Sequence, residues 1–127
     1  MKRVIGIGGI FFKAKNPKTL AKWYEKHLGV PIDESYGGFS FRWDDEAQRP
    51  EKGYTIWSPF KEDTEYIKPS DKDYMFNFIV DDLEALLEAL QSEGVQQVDE
   101  LVNSEFGKFA WIMDPEDNKV ELWEPKD

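Results

Sequence analysis

The chain has 127 residues, of which 40% are hydrophobic and 15% aromatic, which predicts one folded domain (residues 1–127) and excludes disorder. Its 26 acidic and 16 basic residues give a formal net charge of -10, which argues against a nucleic-acid partner and permits a cationic ligand. There is no cysteine for a disulfide or a thiolate ligand, and no apolar run approaches the length of a membrane span. We therefore expect a cytoplasmic protein without a membrane partner.

The first half of the chain predicts one helix and three strands. Residues 4–14 carry apolar side chains and glycines in alternation, which is typical of a strand that something approaches closely. Asn16 and Pro17 predict the N-cap and first turn of a helix, which Gly29 ends. Two further strands are predicted at residues 37–43 and 53–58.

A long polar stretch from Pro59 to Asp73 has neither a helical nor a strand period. It is predicted to link the two halves, and its length makes it a candidate lid or dimer contact. The second half then predicts a strand at 74–80 and a helix from Leu83, capped by Asp81 or Asp82 and ended by Gly94. Strands are expected at 95–102, 109–113 and 120–123, with a tight turn at 114–118.

The second half repeats the first at an offset of 66 residues. The segment Tyr54–Pro59 lies over Val120–Pro125, so that Trp57 falls on Trp123. An internal repeat of this kind decides the fold before any single motif does. The chain is therefore interpreted as two βαβββ modules, with module one at about residues 1–60, the linker at about 61–73 and module two at about 74–127.

Three motifs follow one another along the chain: Trp23-Tyr24-x-x-x-Leu28-Gly29, Val80-Asp-Asp-Leu83 with Gly94-Val95, and Asp114-Pro115-x-x-Asn118-x-x-Glu121-Leu122. In this order and spacing they resemble the vicinal oxygen chelate superfamily, which contains glyoxalase I, bleomycin resistance proteins and extradiol dioxygenases. The resemblance implies an α+β fold in which the curved mixed sheets of both modules enclose a cavity, with helices on the convex face. It also implies a homodimer, and it stays open whether the modules pair across two chains in a domain swap or close on each other within one chain. Asp117 stands where the family usually has glycine.

Metal-binding members of this superfamily place one ligand on the first and one on the last strand of each module. The matching positions are Gly9, Thr55, Met75 and Glu121, of which glutamate alone suits nickel, zinc or iron. The single histidine, His27, is predicted on a helix end rather than in the cavity. We therefore expect no metal and no cofactor, as in the bleomycin-resistance branch.

Strand alternation and the repeat predict which side chains line the cavity. Glu121 is the candidate acid, base or ligand-orienting carboxylate, although an isolated acid is also compatible with a purely structural role. The facing of Arg42 and Trp43 stays open, and the aromatic residues can equally fill a collapsed core or a dimer interface. The predicted ligand-binding residues are Phe11, Lys13, Arg42, Thr55, Trp57, Met75, Asn77 and Trp123.

Three functions remain open. The first is a metal-free protein that binds an aromatic or cationic small molecule in a cavity or dimer groove, as the resemblance to bleomycin resistance proteins implies. The second is a lyase or isomerase of the glyoxalase type that uses Glu121 as an acid, a base or the ligand of a recruited metal. The third is an interaction module whose cavity is vestigial.

Overall fold

The computed structural model of the protein describes residues 10–42 and 53–126. In these ranges the chain is an α+β fold, as predicted, with two helices and four strands. None of the helices in these ranges is long and apolar enough to cross a bilayer. In chain order the elements are α1 (Pro17–Leu28), β1 (Phe76–Ile79), α2 (Leu83–Ser92), β2 (Gln97–Ser104), β3 (Gly107–Met113) and β4 (Lys119–Pro125).

Both helices begin where the sequence predicts, because a side-chain oxygen caps the first turn of each. Asn16 accepts from the backbone N–H of Thr19, and Asp82, rather than Asp81, accepts from that of Ala85, both at 3.1 Å. At the other end of α1, Gly29 adopts a left-handed φ of 69°. The two caps occupy equivalent positions of the predicted repeat.

The four strands form one open mixed sheet in the order β1-β4-β3-β2. Strand β1 pairs in parallel with β4, and the two remaining pairs are antiparallel. All four strands of the second half are therefore confirmed, with altered bounds. Strand β2, for which the sequence signal is weakest, extends over 8 residues and contains a bulge between Val98 and Val102.

The strands predicted for the first half are absent from the part of it that the structure describes. Residues 10–14, 37–42 and 53–58 carry only one isolated bridge, between Asp33 and Gly38. Residues 4–9 and 43 lie outside the described ranges. The prediction fails because alternating apolar residues do not make a strand unless a neighbouring strand supplies ladder hydrogen bonds. Phe11 consequently stays 95% exposed and Trp57 80% exposed.

The core lies between the two helices and one face of the sheet. Val120 and Leu122 on β4 are completely buried against this cluster, as the predicted alternation requires. Glu121 and Trp123 consequently point to the opposite face, named here the far face. The remaining buried members of the core are Leu20, Tyr24, Leu83, Leu90, Ala110 and Ile112.

A buried carboxylate ties α1 to the turn between β3 and β4. Asp114 accepts from the Tyr24 hydroxyl at 2.7 Å, from the Asn118 side chain at 2.6 Å, and from the backbone N–H groups of Glu116 and Asn118. Burial and the Asp114 carboxylate raise the pKa of Tyr24 far above its usual value. At the far ends of the helices, His27 Nδ1 lies 2.7 Å from Glu93 Oε1, so the histidine is on a helix end as predicted.

The same turn contains a backbone conformation that glycine adopts more readily than aspartate. Asp117 has a φ of 63°, which costs most non-glycine residues about 1–2 kcal/mol. We predict that Asp117→Gly raises the free energy of unfolding by up to about 1 kcal/mol, measured by chemical denaturation. Asp117→Ala is the matched control, because it also removes the exposed carboxylate but keeps the Cβ. Equal effects of the two substitutions would contradict a backbone origin.

Candidate functional site

Glu121 lies at the centre of the far face and is only 7% exposed. It is positioned by the central strand β4, where it stands opposite Asn77 of β1 and Trp111 of β3. Because directly opposed residues of neighbouring strands point to the same face, the three side chains converge. The strand pairing, rather than a loop, therefore fixes the position of the carboxylate.

Three neutral groups donate hydrogen bonds to this carboxylate. Asn77 Nδ2 donates to Oε1 at 2.7 Å, while Trp111 Nε1 at 2.8 Å and the Tyr66 hydroxyl at 2.5 Å both donate to Oε2. A carboxylate has about four acceptor positions, so these three bonds from residues in the described ranges leave one position on Oε1. The arrangement can therefore orient a further donor without losing any of the present ones.

Tyr66 reaches Glu121 from the linker, and its ring lies among aromatic and cationic neighbours. The ring meets Trp111 and Phe60 edge to face, with centroid separations of 6.1 Å and 5.6 Å. The ammonium group of Lys119 lies 5.5 Å from the centre of the Tyr66 ring and 5.6 Å from the Trp111 ring. We call this surrounding set, formed by Phe60, Trp111, Lys119 and Glu121, the Tyr66 box.

Lys119 is a buried lysine on the same strand face as Glu121. Its Nζ donates to the backbone carbonyl oxygen of Tyr66 at 2.7 Å and lies 3.9 Å from Asp99 Oδ2. Burial lowers the pKa of Lys119, and the charges of Asp99 and Glu121 partly offset this effect. Burial and the bond to Glu121 raise the pKa of Tyr66, so its hydroxyl remains a donor at neutral pH.

Two predicted site residues lie with Glu121 on the far face. Asn77 binds it directly, as described above, and Trp123 follows two positions later on β4. The Trp123 ring stacks on Phe109 at 5.9 Å, meets Tyr54 edge to face at 4.9 Å, and donates from Nε1 to the carbonyl oxygen of Phe106. Both residues therefore lie on the same face of the sheet as Glu121, while their place in a cavity and their role in ligand binding stay predictions.

The remaining predicted site residues lie elsewhere in the described part of the chain. Phe11, Lys13 and Met75 line an open hollow of about 590 Å³ beside the start of β1. Arg42, Thr55 and Trp57 are exposed on segments without regular structure, and Trp43 lies outside the described ranges. The described residues therefore do not gather the predicted set around one cavity, because residues 10–14, 37–42 and 53–58 form no strand that would align it. The ligand-binding role of these residues stays a prediction.

A larger hollow of about 670 Å³ lies away from Glu121, between the start of α1, the linker and the turn after β3. Glu116 lines it and accepts from the backbone N–H groups of Lys15 and Asn16, at 2.7 Å and 3.0 Å. These two bonds lower the pKa of the Glu116 carboxyl. The volume is greater than at the first hollow, but none of the predicted site residues lines it, so we place the candidate site at Glu121 on chemistry rather than size.

The residues around Glu121 do not fit the divalent metal that the superfamily resemblance implies. Asn77, Trp111 and Tyr66 present N–H and O–H donors to the carboxylate, whereas a metal needs lone pairs. Thr55 is exposed and lies outside the sheet, and Gly9 lies outside the described ranges. Within those ranges, no group of three or more histidine or acidic side chains is arranged to hold an ion.

Sequence reasoning missed three residues of this site. Trp111 could have been predicted, because the turn at 114–118 sets the register that places it opposite Glu121. Lys119 could also have been predicted, because it lies two residues before Glu121 on the same strand and therefore on the same face. Tyr66 carries no such signal, since it lies in a linker without any period. Its position depends on tertiary contacts alone.

The parallel pairing of β1 with β4, the helix between β1 and β2, and the antiparallel β2-β3-β4 ladder define a βαβββ unit. The sequence matches the glyoxalase-like domain family over residues 9–123. The chain therefore belongs to this family, in agreement with its resemblance to the vicinal oxygen chelate superfamily. A comparison with curated proteins gives no match.

We predict that Tyr66→Phe makes the stability less sensitive to alkaline pH. Since the pKa of Tyr66 is raised in the folded state, its stabilising contribution is complete below the unfolded value of about 10 and is lost as the pH rises above it. The variant lacks this contribution, so its free energy of unfolding should fall less steeply above about pH 10 in urea titrations. Tyr36→Phe is the control, because the Tyr36 hydroxyl bonds to Ser40 rather than to Glu121. Identical slopes for wild type and Tyr66→Phe would refute the prediction.

Proposed function

We propose that this protein binds an aromatic or cationic small molecule on the far face at Glu121, without a resident metal ion. The observation that carries the proposal is a buried carboxylate that, among the described residues, accepts from neutral groups and keeps one acceptor position. Membership of the glyoxalase-like domain family supports a small-molecule role at the level of fold. The metal-free state is supported by the donor character of the groups around Glu121.

The energetics of burial favour a binding role for Glu121. Removing a carboxylate from water costs several kcal/mol after relaxation, and hydrogen bonds to neutral groups recover only part of this. Apolar residues of similar volume would often give a sheet face at least as stable. A carboxylate kept in this position, beside the aromatic rings of Tyr66 and Trp111, is therefore better accounted for by recognition of a ligand than by stability.

The alternative is a lyase or isomerase in which Glu121 acts as an acid or base. The remaining acceptor position on Oε1 supports it, because a general base must come within about 2.6–3.2 Å of the proton that it removes. Two existing bonds to Oε2 weigh against it, since they already occupy that oxygen. Chemical conversion of a bound compound by the wild-type protein, but not by a Glu121 variant, would favour this alternative.

We also propose a cytoplasmic homodimer. The support is the exposure of large apolar side chains in the first half, among them Phe11, Phe41, Ile56 and Trp57, since large exposed apolar patches often mark contacts between subunits. Sedimentation equilibrium should give about twice the chain mass of 14.9 kDa. A single species at the mass of one chain across the concentration range would exclude the dimer.

We predict that Glu121→Gln weakens ligand binding at least about tenfold, which corresponds to about 1.4 kcal/mol. The substitution keeps the shape of the side chain but removes its charge, and it turns one of the two oxygens into a donor that faces Asn77 or Trp111 and Tyr66. The measurement is a thermal-shift screen with aromatic and cationic compounds, followed by calorimetric titration of those that bind. Glu100→Gln, with the same charge change at an exposed position, is the matched control.

Two results would overturn the proposal. The first is that no compound of either class binds the wild-type protein. The second is that Glu121→Gln and Glu100→Gln bind the same compound with equal affinity, which would place the ligand away from Glu121. A stoichiometric metal ion in the purified protein would remove the metal-free part of the proposal and favour the enzyme alternative.

A further inference from the structure

We propose that Tyr66 occupies the ligand position of the far face, and that the natural ligand is a neutral phenol that displaces it. This inference rests on the proposed function and narrows its ligand class. Under this proposal the linker places a side chain with the chemistry of the ligand on the far face. The contacts of the Tyr66 box then indicate which chemical group the site recognises.

The hydroxyl group is recognised by the buried carboxylate. Tyr66 donates to Glu121 Oε2 at 2.5 Å, beside the indole donor of Trp111. A hydrogen bond to an ionised acceptor is about twice as strong as one between neutral groups, so an aromatic ring without a donor would lose a large part of its affinity. A site built around such an acceptor also rejects a carboxylate ligand by charge repulsion.

The aromatic ring of the ligand is recognised by the side chains that surround the ring of Tyr66. Trp111 and Phe60 present their rings at 85° and 86° to that of Tyr66, which is the edge-to-face geometry that aromatic pairs favour. The Lys119 ammonium lies 5.5 Å from the ring centre, where a cation is attracted to an aromatic face. These contacts select a single flat ring of about the size of the tyrosine side chain.

The position of Lys119 selects a neutral rather than a cationic ligand. Its ammonium is buried, with the residue 3% exposed, and it lies beside the ring position. A second cation there would be repelled at short range in a partly water-excluded site. The acidic net charge of -10 favours cations at long range, but the local arrangement at the Tyr66 box outweighs it.

Tyr66 can leave without disturbing the fold. It is 43% exposed, and residues 53–75 contain neither a helix nor a strand. Displacement of the side chain breaks the bond to Glu121 but no ladder bond of the sheet. Segments with few buried contacts open at a small fraction of the global unfolding free energy.

An internal occupant lowers the apparent affinity for a ligand by the fraction of molecules in which the site is vacant. The test therefore uses Tyr66→Ala, which vacates the ring position but keeps the backbone carbonyl oxygen that accepts from Lys119. The probe is p-cresol, which is the tyrosine side chain as a free molecule, and binding is measured by calorimetric titration. Tyr66→Ala should bind it at least about tenfold more tightly than wild type does.

Two comparisons separate specific recognition from simple filling of a cavity. Toluene, which has the same ring without the hydroxyl, should bind Tyr66→Ala at least about tenfold more weakly than p-cresol. In the double variant Tyr66→Ala/Glu121→Gln, the preference for p-cresol over toluene should fall. Equal binding of both compounds to Tyr66→Ala, or an unchanged preference in the double variant, would overturn the inference.

Tyr66→Phe serves as a second variant if Tyr66→Ala does not fold. It removes the internal donor and leaves the ring, so p-cresol should still bind it more tightly than it binds wild type, with a shift of the Trp111 indole N–H resonance. If neither folded variant binds p-cresol more tightly than wild type does, the natural ligand is not a phenol at this site. If a cationic aromatic compound binds at Glu121 while p-cresol does not, the ligand class is wrong but the proposed function stands. If none of the compounds binds, both fail.

Discussion

The central position of strand β4 is the constraint on which the rest of the structure depends. It is bonded in parallel to β1 on one side and antiparallel to β3 on the other, so residues 120–123 are paired on both sides. Its side chains alternate between two environments. Val120 and Leu122 anchor both helices through the core, while Lys119 and Glu121 carry their charges to the far face. A shift of one residue in register would exchange the two sets, so the core and the site hold each other in place.

The helix caps and the second-half sheet could be predicted because their causes are local. Asn16 and Asp82 satisfy N–H groups three residues away, and the alternation along β4 follows from strand geometry alone. The first-half strands could not, because residues 53–58 have no partner strand within the ranges that the structure describes. The local pattern failed on pairing and on burial, since the neighbouring side chains of Ile56 and Trp57 are both exposed.

The residues of the candidate site likewise include some that the sequence could predict and some that it could not. Glu121 and its contact with Asn77 were within reach of sequence reasoning, since parity and the parallel pairing of β1 with β4 bring them together. Tyr66 was not, because its place is decided by contacts with residues 45–55 positions away in the chain. Glu121 is the position where the superfamily resemblance implies a metal ligand, but here its neighbours donate hydrogen bonds instead. The carboxylate keeps its place in the fold while its surroundings suit an organic donor.

The two charged groups of the far face place different demands on whatever occupies it. In the proposed complex a phenol donates to Glu121, whereas Lys119 needs an acceptor, which the Tyr66 carbonyl oxygen supplies at 2.7 Å. A buried ammonium without an acceptor is costly, so a ligand that moved the whole linker would have to bring an acceptor of its own. A ligand that displaces only the side chain leaves that bond intact. The backbone of residue 66 is therefore expected to stay in place while its ring moves, which limits the opening to one side chain.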